Sequence, residues 1–172
     1  LKLLATERSA GTIMTVKGEE YEVEVTTPES FEDIDIALFS AGSTASENLA
    51  DEVVDRGAVM IDNSNAFRMD DDVPLVVPEV NPEDIAQHEG IIANPNCSTI
   101  QMVVPLKPIY DKVGIERIVV STYQAVSGTG KDAMDELIEQ SEKILNEEEI
   151  DPEVYPEQIA FNALPHIDVF FD

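Results

Sequence analysis

The sequence holds a single cysteine, Cys97, at the point where an apolar run, Ile91 to Asn94, gives way to a segment with helical spacing. A thiol at the start of a helix meets unpaired backbone N–H groups and the positive end of the helix dipole, and both favour the reactive thiolate. The same N–H groups can hold the oxyanion of an attacked carbonyl. Together these describe a covalent nucleophile. Position alone leaves a second reading open, because free cysteine is often a small buried apolar residue. From residue type alone Arg68 reads first as a surface arginine in a carboxylate network, although its planar, permanently charged fork would also suit a tetrahedral oxyanion. Of the two histidines, His88 ends a polar helix and is expected to be solvated, and His166 is expected to be a hydrogen-bonded structural residue.

The elements that would position these groups alternate between strand and helix. Asp35 to Ser40 and Ala58 to Asp62 read as buried strands, each ending in small polar residues, Ala41-Gly42-Ser43-Thr44 and Asn63-Ser64-Asn65. Ala45 to Arg56 has helical spacing, Pro82 to His88 is a short helix, and Ile91 to Asn94 is a third strand that delivers Cys97. Leu1 to Thr6 is a short strand leading to Arg8 and Ser9, and residues 12–26 form a hairpin around Gly18. The helix running from Thr99 towards Lys112 is expected to bend or divide at Pro105 and Pro108. Further on, Arg117 to Gln124 reads as a strand, Ser127 to Gly130 as a turn, and Asp132 to Asn146 as a helix with Ala133, Leu137, Ile138, Ile144 and Leu145 among its apolar positions. An acidic loop covers Glu147 to Pro156, and another strand begins over Ile159 to Leu164. The class is α/β, a Rossmann-like parallel sheet followed by part of an α+β domain, with the change near Cys97. Ligands of such sheets gather at the carboxyl ends of the strands, where the polar tips converge.

Bulk composition narrows the partners. The 172 residues are 43% hydrophobic, which is ordinary for a packed chain. Against 36 acidic residues stand 10 basic ones, a formal net charge of −26. Nucleic acid and anionic membranes are excluded as partners by repulsion. The charge fits a surface kept hydrated in a salt-rich cytoplasm; the calcium alternative would use Asp70, Asp71 and Asp72, which lack the alternation of an EF-hand loop. No metal site is expected. One cysteine makes no internal disulfide, no stretch of about 18 apolar residues exists to span a membrane, and no export signal opens the chain, so a cytoplasmic location is expected.

Six segments, in order, resemble aspartate-semialdehyde dehydrogenases. They are Arg8-Ser9-Ala10-Gly11, Phe39-Ser40-Ala41-Gly42, Val76-Val77-Pro78-Glu79-Val80-Asn81, Asn94-Pro95-Asn96-Cys97-Ser98-Thr99, Tyr123-Gln124-Ala125-Val126-Ser127-Gly128, and the closing run from Ile159 through Pro165-His166-Ile167-Asp168. The resemblance implies Cys97 as nucleophile and Gln124, 27 positions later, as the residue orienting substrate beside it. It implies Arg68 and Asn96 as the phosphate site. It also implies Arg8 and Ser9 against the 2′-phosphate of NADP, although Glu7 adjoins them. Ser40, Ala41, Gly42 and Thr44 would line the adenosine and pyrophosphate, and Ser127 and Gly128 the nicotinamide end. Residues 1–96 would then be the NADP-binding domain and 97–172 the first part of a catalytic and dimerisation domain.

The implied reaction is reductive dephosphorylation of L-4-aspartyl phosphate to L-aspartate 4-semialdehyde through a Cys97 thioester. It serves lysine, methionine, threonine and diaminopimelate biosynthesis in a homodimer. The family's Gly-rich loop is expected before Leu1, and its acid–base His and carboxylate-binding Arg after Asp172, so the chain alone is expected to be inactive. Rival thiol dehydrogenases set their cysteine in Ser-Cys-Thr-Thr-Asn or Gly-Cys-Tyr, which Asn96-Cys97-Ser98-Thr99 does not match. A non-catalytic dinucleotide-binding module is the alternative of a different class. A cysteine hydrolase lacks a histidine partner in the chain.

Overall fold

The computed structural model describes residues 1–165; residues 166–172, which include His166 and Asp168, lie outside the described residues. The chain divides into two compact units, Leu1–Ile118 and Val119–Asp172.

In the first unit, six strands form two three-stranded sheets. Strand β1 (Leu3–Ala5) pairs in parallel with β3 (Glu19–Val25), Leu3 opposite Val23, and β3 pairs antiparallel with β2 (Ile13–Val16). The hairpin turns at Lys17 and Gly18, between the paired Val16 and Glu19, as the sequence predicts. The second sheet is wholly parallel, in the order β4 (Ile36–Phe39), β5 (Val59–Asp62), β6 (Ile91–Ala93). Helix α1 (Ser43–Asp55) crosses from β4 to β5. It buries Ala50 and Val53 against Ala37, Met60 and Phe31, and the rings of Phe31 and Phe39 stack at 5.8 Å. Burying a side chain such as Val53 or Met60 contributes about 1.5–3 kcal/mol. Phe67 packs against this core, which anchors the residue next to Arg68.

The apolar run in β4 predicts burial on both faces, yet only one face is covered. Ala37 is buried while Ile36 and Leu38 are 59% and 78% exposed. The reason is that β4 is an edge strand, and α1 packs on its Ala37 side only.

Gly90, just before β6, has φ +110°, and a Cβ there would lie 2.7 Å from Val54 Cγ1. Its carbonyl accepts from Met60 N at 2.8 Å, so the backbone has little room to move away. Gly90→Ala is therefore expected to destabilise the fold by roughly 2–4 kcal/mol, combining left-handed strain with overpacking. Chemical denaturation checks this, and a loss under about 0.5 kcal/mol, the usual size of a neutral surface change, would contradict it.

Of the expected bend or division at Pro105 and Pro108, the division does not occur: helix α2 (Cys97–Val113) is continuous. Each proline removes one N–H from the ladder, but both are exposed, and solvent can take up a freed carbonyl. Cys97 thus opens a helix that belongs to the first unit.

The second unit is organised by helix α3 (Lys131–Leu145), whose bounds match the expected helix closely. Its burial does not follow the apolar positions alone. Ala133 is buried, but so are Glu136 and Gln140, whereas Ile138 and Leu145 are exposed. The Glu136 carboxylate accepts from the backbone amides of Glu153 and Val154, and Gln140 Oε1 accepts from those of Ile159 and Ala160. These bonds explain why no strand begins at Ile159: its amide donates to a side chain instead of a ladder. The expected strand over Arg117 to Gln124 is also absent. Ladder bonds need a neighbouring strand, none pairs with this segment among the described residues, and Val119 and Tyr123 are exposed.

Candidate active site

The parallel sheet brings three strand ends together, and hydrogen bonds join them. Asn63, after β5, donates from Nδ2 to Ser40 Oγ, after β4, at 3.4 Å. Asn94, after β6, donates from Nδ2 to Asn63 Oδ1 at 2.6 Å. Ser40, Asn63 and Asn94 therefore share one edge, as a parallel sheet requires of its carboxyl ends, whereas Arg8-Ser9, expected at the same edge, follows β1 of the other sheet.

Cys97 is exposed at the first position of α2. Asn96 caps that helix: its Oδ1 accepts from Ser98 N at 3.0 Å and from the Ser98 hydroxyl. Capping fixes the first turn, so the remaining unpaired N–H groups of α2 point to the same end as the sulfur. No acidic residue stands in the first turn of this helix.

Arg68 is half-buried, and two backbone carbonyls orient it. Nε donates to Asn94 O at 2.9 Å and Nη2 to Asn63 O at 3.1 Å. None of the ion pairs found among the described residues involves Arg68. Among the described residues the guanidinium is thus held by neutral carbonyls and not by an acid. The carboxylate-network reading of Arg68 finds no support here. The bond to Asn94 also ties Arg68 to the segment that delivers Cys97, three residues on.

The expected cofactor residues of the first unit divide between two turns. Arg8 is exposed in the turn after β1, which is closed by Ser9 N donating to Thr6 O at 3.0 Å, and it too is absent from the ion pairs. Gly42 is the N-cap of α1, with φ +89° and open space where a Cβ would stand. Ser40, Ala41 and Thr44 are exposed around it. The 13-residue α1 has no acid in its first turn and no side-chain cap. Unpaired N–H groups behind a bare glycine suit a diphosphate, so these residues fit a dinucleotide. Ser127 and Gly128 form a 3-10 turn, Val126–Gly128, and Gln124 is exposed with Oε1 accepting from Thr122. Those three belong to the second unit. His88 is half-buried and not simply solvated, since Nδ1 accepts the Gly90 amide at 3.0 Å. Among the described residues, no group of three or more His, Cys, Asp or Glu is arranged to hold a metal ion, and no helix is long and apolar enough to cross a membrane.

The sequence reading passed over Asp62 and Ser46. Asp62 is wholly buried and accepts from Ser46 Oγ at 2.6 Å, Ser64 Oγ at 2.6 Å and Ser64 N at 3.1 Å. The signal was present: an aspartate ends an otherwise apolar strand, where a charge is rare unless satisfied.

Residues 1–88 match the family described as Semialdehyde dehydrogenase, NAD binding domain, and residues 106–172 match Semialdehyde dehydrogenase, dimerisation domain. An aspartate-semialdehyde dehydrogenase of Bacillus subtilis (strain 168) is 58% identical over 179 aligned positions, which take in 100% of this chain and 52% of the relative. A crystal structure of aspartate semialdehyde dehydrogenase II complexed with ASA, from Vibrio cholerae, superposes with a TM-score of 0.92 at 51% identity, covering 99% of this chain and 52% of that one. The aspartate semialdehyde dehydrogenase with NADP from Candida albicans superposes with a TM-score of 0.60 at 29% identity, covering 78% and 45%. The chain spans about half the length of the curated relatives it matches.

Proposed function

We propose, from the premise that this chain belongs to the aspartate-semialdehyde dehydrogenase family, that it carries the thiol and phosphate sites of an NADP-dependent enzyme acting on L-4-aspartyl phosphate. The observation that carries the reading is the Arg68 guanidinium, without a carboxylate partner among the described residues and bonded to Asn94 three residues before the thiol.

In this reading Cys97 Sγ attacks the acyl carbon of the substrate. The amides at the head of α2 stabilise the oxygen that becomes negative. The carbon–oxygen bond to phosphate breaks, and inorganic phosphate leaves against Arg68 and Asn96, leaving a Cys97 thioester. A bound reduced nicotinamide supplies the hydride that the thioester carbon accepts. Collapse of the resulting hemithioacetal releases L-aspartate 4-semialdehyde and returns the sulfur of Cys97. Gln124 orients the substrate during both halves. Arg8 and Ser9 hold the 2′-phosphate, and Ser40, Ala41, Gly42 and Thr44 hold the adenosine and pyrophosphate. Ser127 and Gly128 bound the nicotinamide end. Residues 1–96 serve the cofactor and residues 97–172 begin the catalytic and dimerisation part of a cytoplasmic homodimer. The product enters lysine, methionine, threonine and diaminopimelate biosynthesis.

Initial rates of the full-length protein test this reading. With NADP and phosphate, turnover of L-aspartate 4-semialdehyde is expected to exceed that of glyceraldehyde 3-phosphate by on the order of 10³-fold, because a site built on specific polar contacts rejects a substrate that leaves them unpaired. Faster turnover of glyceraldehyde 3-phosphate would overturn it.

A further inference from the structure

We propose that Asp62 is a positioning residue for the phosphate site, setting the loop that aims Arg68; this rests on the reading of Arg68 as the phosphate-binding group. Asp62 touches none of the reacting groups. It is 0% exposed at the end of β5, and it enters no ion pair among the described residues. Burying a carboxylate without a cation is costly, so its hydrogen bonds must compensate. Three donors converge on it: Ser46 Oγ from α1, and Ser64 N and Ser64 Oγ from the loop.

The consequence travels through short bonds. Ser64 Oγ, fixed as a donor to Asp62 Oδ2, accepts from Ala66 N at 3.1 Å, which turns the chain back towards Arg68. Arg68 then closes the loop by donating to Asn63 O and reaches Asn94 O with Nε. The backbone of Asp62 adds a second tie, since its carbonyl accepts from Asn94 N at 2.8 Å. The buried carboxylate thereby ties α1, through Ser46, to the loop that holds Arg68, through Ser64. An amide cannot replace it, because it accepts through one atom only. Its NH₂ would donate to Ser64 Oγ and strand the hydroxyl proton that Asp62 now accepts.

The experiment uses the full-length enzyme in the phosphorylating direction, with inorganic phosphate as the probe and KM values determined separately for phosphate and aldehyde. For Asp62→Asn, the phosphate KM is expected to rise at least about fivefold, while the aldehyde KM and kcat change less than about twofold. Ser64→Ala, which cuts the link to the loop but spares Ser46, is expected to move the phosphate KM in the same direction. It decides the matter by the same criterion if Asp62→Asn does not fold. An unchanged phosphate KM, or equal changes in both KM values, overturns the proposal. Arg68→Ala is the reference: if it leaves the phosphate KM unaltered, the phosphate reading itself fails. If Arg68→Ala raises that KM and neither Asp62→Asn nor Ser64→Ala does, only the role of Asp62 fails.

Discussion

Cys97→Ser in the full-length enzyme is expected to abolish reduction of the acyl phosphate, lowering kcat by roughly 10⁴-fold or more. The change is a single atom at an exposed site, so the loss is expected without any change in folding. Serine is also well accepted near helix starts, and the Asn96 cap does not involve the Cys97 side chain. Thermal unfolding should therefore move by less than about 0.5 kcal/mol in stability. The chemistry is what changes. A serine hydroxyl needs a base to become nucleophilic, and the ester it would form accepts hydride less readily than a thioester. Mass spectrometry of enzyme mixed with substrate in the absence of NADPH checks the same point, because the wild type should retain an acyl adduct on Cys97 and the variant none. Undiminished turnover by the variant would remove Cys97 from the reaction.

The second large effect is expected at Arg68. Arg68→Ala should lower kcat/KM for the acyl phosphate by about 10²-fold, the size of a charge-assisted bidentate contact of roughly 2.7 kcal/mol. The loss should appear mainly as a raised KM for phosphate in the reverse direction, with NADP affinity left nearly intact. Arg68→Lys separates charge from shape. Lysine keeps the charge but loses the fork whose Nε and Nη2 are bonded to Asn94 and Asn63, so partial recovery is expected. Recovery to wild-type rates would mean that charge alone matters, and an unaffected Arg68→Ala variant would remove Arg68 from the phosphate site.

The features read correctly from sequence are those decided locally. The hairpin at Lys17-Gly18, the helix after Gly42 and the strand ending at Asp62 each carry their own periodicity and punctuation. What failed depends on neighbours. Arg117 to Gln124 has the composition of a strand, but pairing is a property of two segments. Ile159 looked like a strand start until Gln140, 19 positions earlier, took its amide. At the site, Cys97 could be read at a strand-to-helix junction, whereas the capping bond from Ser98 to Asn96 was not anticipated. The partners of Arg68 were not legible either: both are main-chain carbonyls, which every residue possesses and no motif advertises. Asp62 carried a signal, an acid ending an apolar strand, but its satisfaction by two serines belongs to the packing and is not written in the sequence.

In the proposed reading, the guanidinium of Arg68, which enters no ion pair among the described residues, bears on how substrate arrives. An acyl phosphate approaching a chain of net charge −26 drifts against a repulsive field, and collisions with most of the surface are unproductive. A fixed cation at the carboxyl edge of the sheet gives that field a local inlet, where capture begins before any bond to sulfur forms. Dissolved salt flattens the surrounding barrier within a distance of about 8–10 Å but weakens the contact at a half-buried arginine less. For this protein, ions would then ease the encounter while sparing the capture, the reverse of the usual outcome for an oppositely charged enzyme and ligand.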